Sequence, residues 1–436
     1  MTPEDISSAH NFAGAKNTPA QRIKVIGVGG GGNNAVNHMY NEGIKDVSFV
    51  LINTDKQVLE QSAIPTCLVI GPGRGAGGIP EKAKGYAEDN AERIAELFDD
   101  NTDMVFITAG MGGGTGTGAG PVVARIAKEM GILTVGIVTI PFLFEGKRKV
   151  LKALEGAREM AKNVDALLMI NNQRLTEIYK DLDILNAFAK ANDTLLTATQ
   201  SITDIITIPG VVNRDFNDVD TTLRDGGTAI ISSGYGEGDQ RVRKAIEDAL
   251  HSPLLRNTSI FSSKKILMAL YIDEHSEEHP FNMNELDQLT DFINNIDADV
   301  DVMWGLYKIP DLNERVKISI LASGFDEPSY AEDASMVSQA AGTDSARKAD
   351  VDNKIADAYG PEAVSKINGP GSKVKILRPD ELDDDSLIAA NETPAYNRHR
   401  AAQGLGPRTA NRNQGGDSAK RDDAADGRTF TFDDII

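Results

Sequence analysis

An α/β fold with a mostly parallel sheet is what this 436-residue sequence predicts. Three features point to it. Strand-like apolar runs alternate with helical stretches through residues 21–183, two glycine-rich segments each directly follow such a run, and a long amphipathic pattern then leads into a second, smaller unit.

The first runs are Ile23–Val28, Val47–Thr54, Cys67–Ile70, Met104–Thr108, Leu133–Val138 and Ala166–Ile170. Strands that alternate with helices pair in parallel and carry helices on both faces. From Ile184 to Ile208, Leu185, Phe188, Ala191, Leu195, Ala198, Ile202 and Ile205 recur at spacings of three and four. Leu196, Thr199 and Ile206 widen that stripe, which predicts a central, buried helix. Asp183 stands where an N-cap belongs, and Pro209-Gly210 ends the pattern. Residues 184–221 therefore read as a central helix and the loop after it. Residues 222–327 hold the candidates Ala229–Ser232, Ile266–Ile272, Val300–Tyr307 and Val316–Ala322, rich in β-branched side chains, and predict a smaller α+β C-terminal domain.

The ends differ in character. Residues 1–20 are polar and read as a flexible tail. Between 328 and 428 there is no Phe and no Trp, Ala, Asp, Asn, Gly and Lys dominate, and Glu381–Asp385 is an acidic cluster. So little apolar surface does not offset the entropy of ordering, which predicts a disordered, acidic linker. Residues 429–436 turn apolar again and read as a docking peptide on that tether.

Composition excludes several classes. A net charge of −20 repels phosphate backbones and argues against a general nucleic-acid binder. It leaves nucleotide binding open, because backbone N–H groups hold phosphates without basic side chains. No apolar run reaches the ~18 residues of a membrane span, and the N-terminus lacks the apolar core of a signal peptide. A cytoplasmic protein without direct membrane insertion is expected. The single cysteine, Cys67, excludes an internal disulfide and a cysteine metal cluster. Its apolar surroundings, Thr66–Ile70, predict a buried strand thiol. No protein metal site is expected.

The glycine-rich segments carry the chemistry. Gly27-Val-Gly-Gly-Gly-Gly-Asn-Asn34 follows the first strand and opens a helical stretch. Glycines there allow a tight turn and a close phosphate, and the helix start supplies unpaired N–H donors. This segment alone also fits G-x-G-x-x-G with Asp55 as a ribose acid, the pattern of an NAD-dependent dehydrogenase. Gly110-Met-Gly-Gly-Gly-Thr-Gly-Thr-Gly118 likewise joins a strand to a helix. Two such loops on one sheet can close on one polyphosphate, where a dinucleotide fold needs a single loop. The hydroxyls of Thr115 and Thr117 can reach phosphate oxygens or water around Mg²⁺. G-x-x-x-x-G-K-[ST] does not occur, so this is not a P-loop protein.

The run Gly-Gly-Gly-Thr-Gly-Thr-Gly resembles the tubulin signature loop. With Asn53-Thr54-Asp55, Pro141-Phe142 and Phe144-Glu145-Gly146, it makes residues 21–325 similar to the FtsZ family, the bacterial homologues of tubulin. That resemblance implies a tubulin-like GTPase domain, GTP/GDP as ligand with Mg²⁺, and a head-to-tail homopolymer that forms the division ring at mid-cell. It implies that Gly30, Gly31, Gly32, Asn33 and Asn34 touch the phosphates. Gly112, Gly113, Gly114, Thr115, Gly116 and Thr117 would wrap them. Glu145 would bind the ribose. The family's arginine four residues on is Lys149 here, with Arg148 beside it. Asn172, Phe188 and Asp193 would hold the base, with Asp193 accepting from both guanine donors, a pair that adenine lacks. The terminal peptide departs from the family's usual tail, and it would engage membrane-tethering and other division proteins.

After the long helix, Asn213, Asp215 and Asp218 repeat the spacing of the family's catalytic loop. Two carboxylates near a γ-phosphate can orient and polarise a water. Asp193 to Ile208 is 15 helical steps, roughly 22 Å at ~1.5 Å per residue. If Asp193 holds the base, these acids act on a nucleotide presented by another subunit, and a contact between two different faces propagates as a filament. A non-hydrolysing scaffold is a rival reading, which the two acids argue against. His275-Ser-Glu-Glu278-His279 matches an inverted zinc-protease pattern, but it runs into Pro280 and reads as an acidic surface loop.

Overall fold

Six parallel strands form the first half of a sheet in the order β3-β2-β1-β4-β5-β6. They are β1 (Ile23–Val28), β2 (Ser48–Asn53), β3 (Thr66–Val69), β4 (Met104–Gly110), β5 (Leu133–Ile140) and β6 (Ala166–Asn171). The computed structural model describes residues 22–98, 100–179, 183–251, 260–274, 280–310, 312–325 and 344–368. The N-terminal tail, the His275–His279 motif and the terminal docking peptide lie outside the described residues.

The helices joining these strands are α1 (Gly29–Asn41), α2 (Lys56–Glu60), α3 (Pro80–Glu88), α4 (Ala91–Ala95), α5 (Thr115–Glu129) and α6 (Lys147–Asn163). Side chains alternate across the sheet, as strand geometry requires. Met104 and Phe106 of β4 face the layer that includes Val36 and Met39 of α1. Val105, Ile107 and Ala109 face the layer of α5 and α6, with Val123 and Ala153. Runs apolar at every position are thus buried on both faces, the condition of a parallel sheet.

After α7 (Asn172–Ile178), the helix α8 (Ile184–Thr207) crosses one face. Asp183 caps it, accepting from the N–H of Asn186 at 2.9 Å. Ala191, Leu195, Ala198, Ile202 and Ile205 are buried in the spacing expected of them, and Ala187 is buried as well. Phe188, placed on the same stripe by the sequence, is 41% exposed instead.

The second half of the sheet runs β8-β11-β9-β10-β7. Its strands are β7 (Gly210–Val212), β8 (Gly227–Gly236), β9 (Lys265–Asp273), β10 (Asp301–Ile309) and β11 (Val316–Ser323). The helices α9 (Phe216–Leu223), α10 (Arg241–Leu250) and α11 (Met283–Asn294) complete this half. It joins the first half where Ala166 and Leu167 of β6 meet Gly227 and Thr228 of β8. Its pairing is mixed, with β11 antiparallel to both β8 and β9.

Two expectations are corrected. Cys67 is exposed, because it lies on the edge strand β3, whose first two residues are open to solvent. Burial of its neighbourhood still pushes the thiol up, and Sγ donates to Ile64 O at 3.3 Å. The linker expected over 328–428 contains two helices, α12 (Asp344–Tyr359) and α13 (Pro361–Asn368). Ile355, Ala358, Tyr359 and Ala363 of this pair are buried in the same core as α5 and α6. Composition averaged over a hundred residues concealed that short amphipathic stretch.

Candidate functional site

Strand order reverses between β1 and β4: the chain leaves β1 toward β2 and leaves β4 toward β5. A crevice opens at the carboxyl ends of strands at such a switch point. Both glycine segments follow these two strands, so topology brings them together. In the crevice, Gly30, Gly31, Asn34, Gly113, Gly114, Thr115, Gly116, Glu145, Lys149, Asn172 and Phe188 line one cleft of about 390 Å³.

Where each loop opens its helix, no side chain caps the backbone donors. The N-terminus of α1 follows Val28 and that of α5 follows Gly114, and neither has a side-chain cap. By contrast, Asp55, Asp183 and Asp215 cap α2, α8 and α9. Uncapped N–H groups and two positive helix ends therefore converge on one cleft, the environment a polyphosphate requires.

The glycines divide between two duties. A Cβ at Gly30 or Gly113 would meet nothing within 4 Å, so those backbones face the cleft. A Cβ at Gly32 would lie 2.2 Å from Thr108 O, so that glycine lets α1 sit directly on β4. Close packing and phosphate access thus share the same run. Thr54 and Thr115 tie the neighbouring strand end to the second loop, Oγ1 to Oγ1 at 2.7 Å.

Five expected contacts lie off the cleft. Gly32 is spent on that packing. Asn33 is fully buried; with its amide oriented to satisfy both ends, Nδ2 donates to Gly27 O at 2.8 Å and Gly29 O at 2.9 Å, while Oδ1 accepts from Asn53 Nδ2 at 3.1 Å. It braces the first loop from beneath. Gly112 donates its N–H to Thr117 Oγ1 at 2.8 Å, so both residues are engaged inside the second loop. Thr117 instead borders a separate cleft between α3, α5 and α6. Asp193 Oδ1 pairs with His38 Nε2 at 2.9 Å and stands outside the nucleotide-sized cleft.

Asn192 lines the cleft in place of Asp193. The missed signal was helical phase. Asn192 is four residues beyond Phe188 and shares its face, whereas Asp193 is rotated about 100° further.

The remaining cleft residues are held firmly. Glu145 closes a short 3-10 turn, Leu143–Glu145, with Oε1 accepting from Phe142 N at 2.8 Å and Oε2 paired with Lys149 Nζ. Lys149 thus stands in the cleft, while Arg148 borders the α3–α5–α6 cleft. Phe188 meets the buried Phe142 edge to face, with centroids 5.1 Å apart. Asn172 is 6% exposed, and its Oδ1 has no hydrogen-bond partner among the described residues. A buried acceptor without a donor, in a lined cleft, fits a ligand hydroxyl or amine.

The acidic loop is elsewhere. None of Asn213, Asp215 and Asp218 lines the cleft, which ends at Leu195 on α8. They follow the far end of that helix, sixteen residues beyond Asn192 at Ile208, or roughly 24 Å at ~1.5 Å per residue. Asn213 Oδ1 accepts from Gly210 N at 3.0 Å. Beneath the loop, Tyr307 donates to Ile205 O at 3.3 Å, and burial pushes its hydroxyl up to about 12.

Known proteins agree with this architecture. Residues 22–180 match the model of the Tubulin/FtsZ family GTPase domain, and residues 227–326 match that of the FtsZ family C-terminal domain. The chain is 50% identical over 394 residues to the cell division protein FtsZ of Porphyromonas gingivalis, covering 86% of this chain and 85% of that one. It is 41% identical over 315 residues to FtsZ of Aquifex aeolicus, covering 71% and 84%. The solved FtsZ dimer of M. jannaschii superposes with a TM-score of 0.64 at 34% identity, over 74% of this chain and 93% of that one. With both halves matched and relatives this similar along most of their length, the chain belongs to the FtsZ family of tubulin-like GTPases.

Proposed function

We propose that this GTPase binds GTP in the cleft between α1 and α5, polymerises head to tail, and hydrolyses the nucleotide with the acidic loop of the next subunit. One observation carries this reading: α8 separates the nucleotide cleft from Asp215 and Asp218, so neither acid reaches its own chain's nucleotide. A site divided between two different faces is complete only in a heterologous contact, which repeats along a filament. The solved relative from M. jannaschii is described as an FtsZ dimer, which is consistent with self-association.

Within the cleft, the open backbones at Gly30 and Gly113, together with the cleft-lining Gly31 and Gly114, hold the phosphates. Glu145 accepts from the ribose hydroxyls, and Lys149 keeps its carboxylate in place while adding positive charge. Phe188 stacks on the purine. Asn172 and Asn192 supply polar contacts to its edge, and base selection moves from Asp193 to Asn192, a reading supported by Asn192 lining this cleft and Asp193 lining another. Asp215 and Asp218 orient and polarise the attacking water on the neighbour's γ-phosphate, supported by Asn213.

Mg²⁺ fits as a companion of the nucleotide. No group of three His, Cys, Asp or Glu side chains among the described residues forms a metal cage. A magnesium ion accompanying the nucleotide would neutralise phosphate charge, and Thr115 is the side chain on the second loop that would help hold it.

The cellular role follows from the family. Relatives carry the description cell division protein, and we assign this chain to the ring at the mid-cell division site. No described helix is long and apolar enough to cross a membrane, so recruitment by a tethering partner through residues 429–436 suits a cytoplasmic filament.

A mixing experiment tests the shared site. Asp215→Asn leaves the cleft intact, and Gly30→Val blocks it. Each variant alone should be nearly inactive, and an equimolar mixture should regain measurable GTPase activity. A mixture as inactive as its components would contradict the reading.

A further inference from the structure

Helices α12 and α13 lie beyond both matched family domains, which end at residues 180 and 326. They nevertheless join the core beside the nucleotide cleft. Ile355 is fully buried, and Ala363 is 1% exposed, while Val351, Val364 and Ile367 pack against the same cluster as Leu143 and Val150. Lys147, at the start of α6, pairs with Asp352 at 2.9 Å.

Two hydrogen bonds give this docking a direction. Tyr359, 5% exposed, donates from its hydroxyl to Pro141 O at 2.8 Å. Pro141 lines the cleft and begins the turn that ends in Glu145, whose carboxylate accepts from Phe142 N. Asn171 works at both ends of its amide. Nδ2 donates to Ala358 O at 2.9 Å, and Oδ1 accepts from Gln173 N at 2.9 Å to cap α7. That cap fixes the first turn of α7, where Asn172 offers its unpartnered oxygen to the cleft.

The helix pair therefore grips both segments on the side of the cleft away from the glycine loops. The 141–145 turn carries Glu145 and, through Phe142, supports Phe188. The 171–172 step carries Asn172. The geometry points to Tyr359 as a positioning residue for the nucleoside end of the site, acting through Pro141 and the Glu145 turn. This inference rests on the nucleotide cleft proposed above and extends its machinery to a segment outside the two matched domains. Burial raises the Tyr359 hydroxyl well above its usual range, with the Glu145 charge adding to the effect, so the group remains a donor at every physiological pH.

Coupling of this kind is reciprocal. If docked helices favour the bound nucleotide, the nucleotide favours docked helices by the same factor. A purely structural role for Tyr359 lacks that signature.

The test uses the full-length chain below its assembly concentration. A fluorescent GDP analogue is titrated into wild type, Tyr359→Phe and Ala363→Arg. Hydrogen exchange over residues 351–368 is followed with and without GDP. Tyr359→Phe keeps the buried ring and removes one hydrogen bond, so affinity should fall about three- to tenfold. In a separate assay above the assembly concentration, kcat at saturating GTP should stay within about twofold. Ala363→Arg, which displaces the pair, should weaken binding at least as much. In wild type, GDP should slow exchange in 351–368, and in Tyr359→Phe it should do so less. Wild type binding GDP while both variants bind equally well, or GDP leaving exchange in 351–368 unchanged, would overturn the positioning role alone. Wild type failing to bind GDP at all would instead sink the cleft assignment.

Discussion

Asp215 and Asp218 cap one another's backbone. Asp215 Oδ1 accepts from the N–H of Asp218 at 3.2 Å, and Asp218 Oδ2 accepts from the N–H of Asp215 at 3.1 Å. The same carboxylates that are assigned to catalysis thus hold the start of α9. An alanine at either position removes a charge and a cap together, and the cap alone is worth about 1 kcal/mol. Asparagine separates the two roles, because its amide oxygen still caps. Asp215→Asn and Asp218→Asn should keep the wild-type Tm within about 2 °C, yet lose GTPase activity by a factor on the order of 100 or more. Wild-type turnover in either variant, measured above the assembly concentration, would remove these acids from the mechanism.

Asn192 and Asp193 are adjacent and point to different tasks. Asn192→Ala should weaken GTP binding about tenfold through the loss of one polar contact to the base. Asp193→Ala should leave affinity within about twofold and lower Tm slightly, since it frees His38 of α1 from its partner on α8. Equilibrium titration of both variants with a labelled nucleotide distinguishes them. The reverse ranking would return base recognition to Asp193.

The adjacent pair Asn192 and Asp193 shows what the sequence made legible. The sheet was readable because buried parallel strands are apolar at every position. The runs at Ile23, Met104 and Leu133 start where β1, β4 and β5 start. The cleft was readable because two glycine loops, each placed between a strand and a helix of one sheet, bring two sets of free N–H donors to the same edge. Single-residue facing was harder. A carboxylate beside an amide on a helix differs by one step of phase, and the chemistry of guanine drew attention to the carboxylate, which lines a different cleft from Asn192. Cys67 failed for a related reason, since an apolar run does not reveal which part of an edge strand is left open to solvent. The α12–α13 pair was lost in an average: Val351, Ile355, Ala358 and Tyr359 have helical spacing, but the surrounding residues are polar enough to swamp it.

Two neighbouring glycines should respond in opposite ways. Gly30→Ala adds a methyl where nothing stands within 4 Å, on a helix that gains roughly 0.5–1 kcal/mol from the exchange. Its stability should hold or rise, while nucleotide affinity drops more than tenfold, because the methyl occupies phosphate space. Gly32→Ala forces a Cβ against Thr108 O and should cost about 1–3 kcal/mol or more by overpacking. Calorimetry and nucleotide titration on both variants check the contrast. Unchanged affinity in Gly30→Ala would mean that phosphates do not sit on this loop.

Stability should carry a pH dependence from the interface between α8 and the second half of the sheet. Asp204 lies there, 3.8 Å from Lys317 Nζ, which in turn sits over the Tyr271 ring. Burial outweighs the attraction of Lys317 and raises Asp204 to about 6. A carboxyl raised in the folded state favours folding most when it is protonated. Its contribution is present below the unfolded value of 3.8 and is lost as pH climbs through about 6. The displacement corresponds to about 3 kcal/mol at most. Asp204→Asn should therefore flatten the stability profile between about pH 4 and 6. Chemical denaturation at a series of pH values reads this directly, and an unaltered slope in the variant would refute the assignment.

The claim that each active site is divided between two subunits is tested most directly by GTPase rate per chain against protein concentration. Specific activity should rise steeply at the concentration where sedimentation first detects polymers, and should be close to zero for monomers below it. A rate per chain that stays constant into the purely monomeric range would contradict the account.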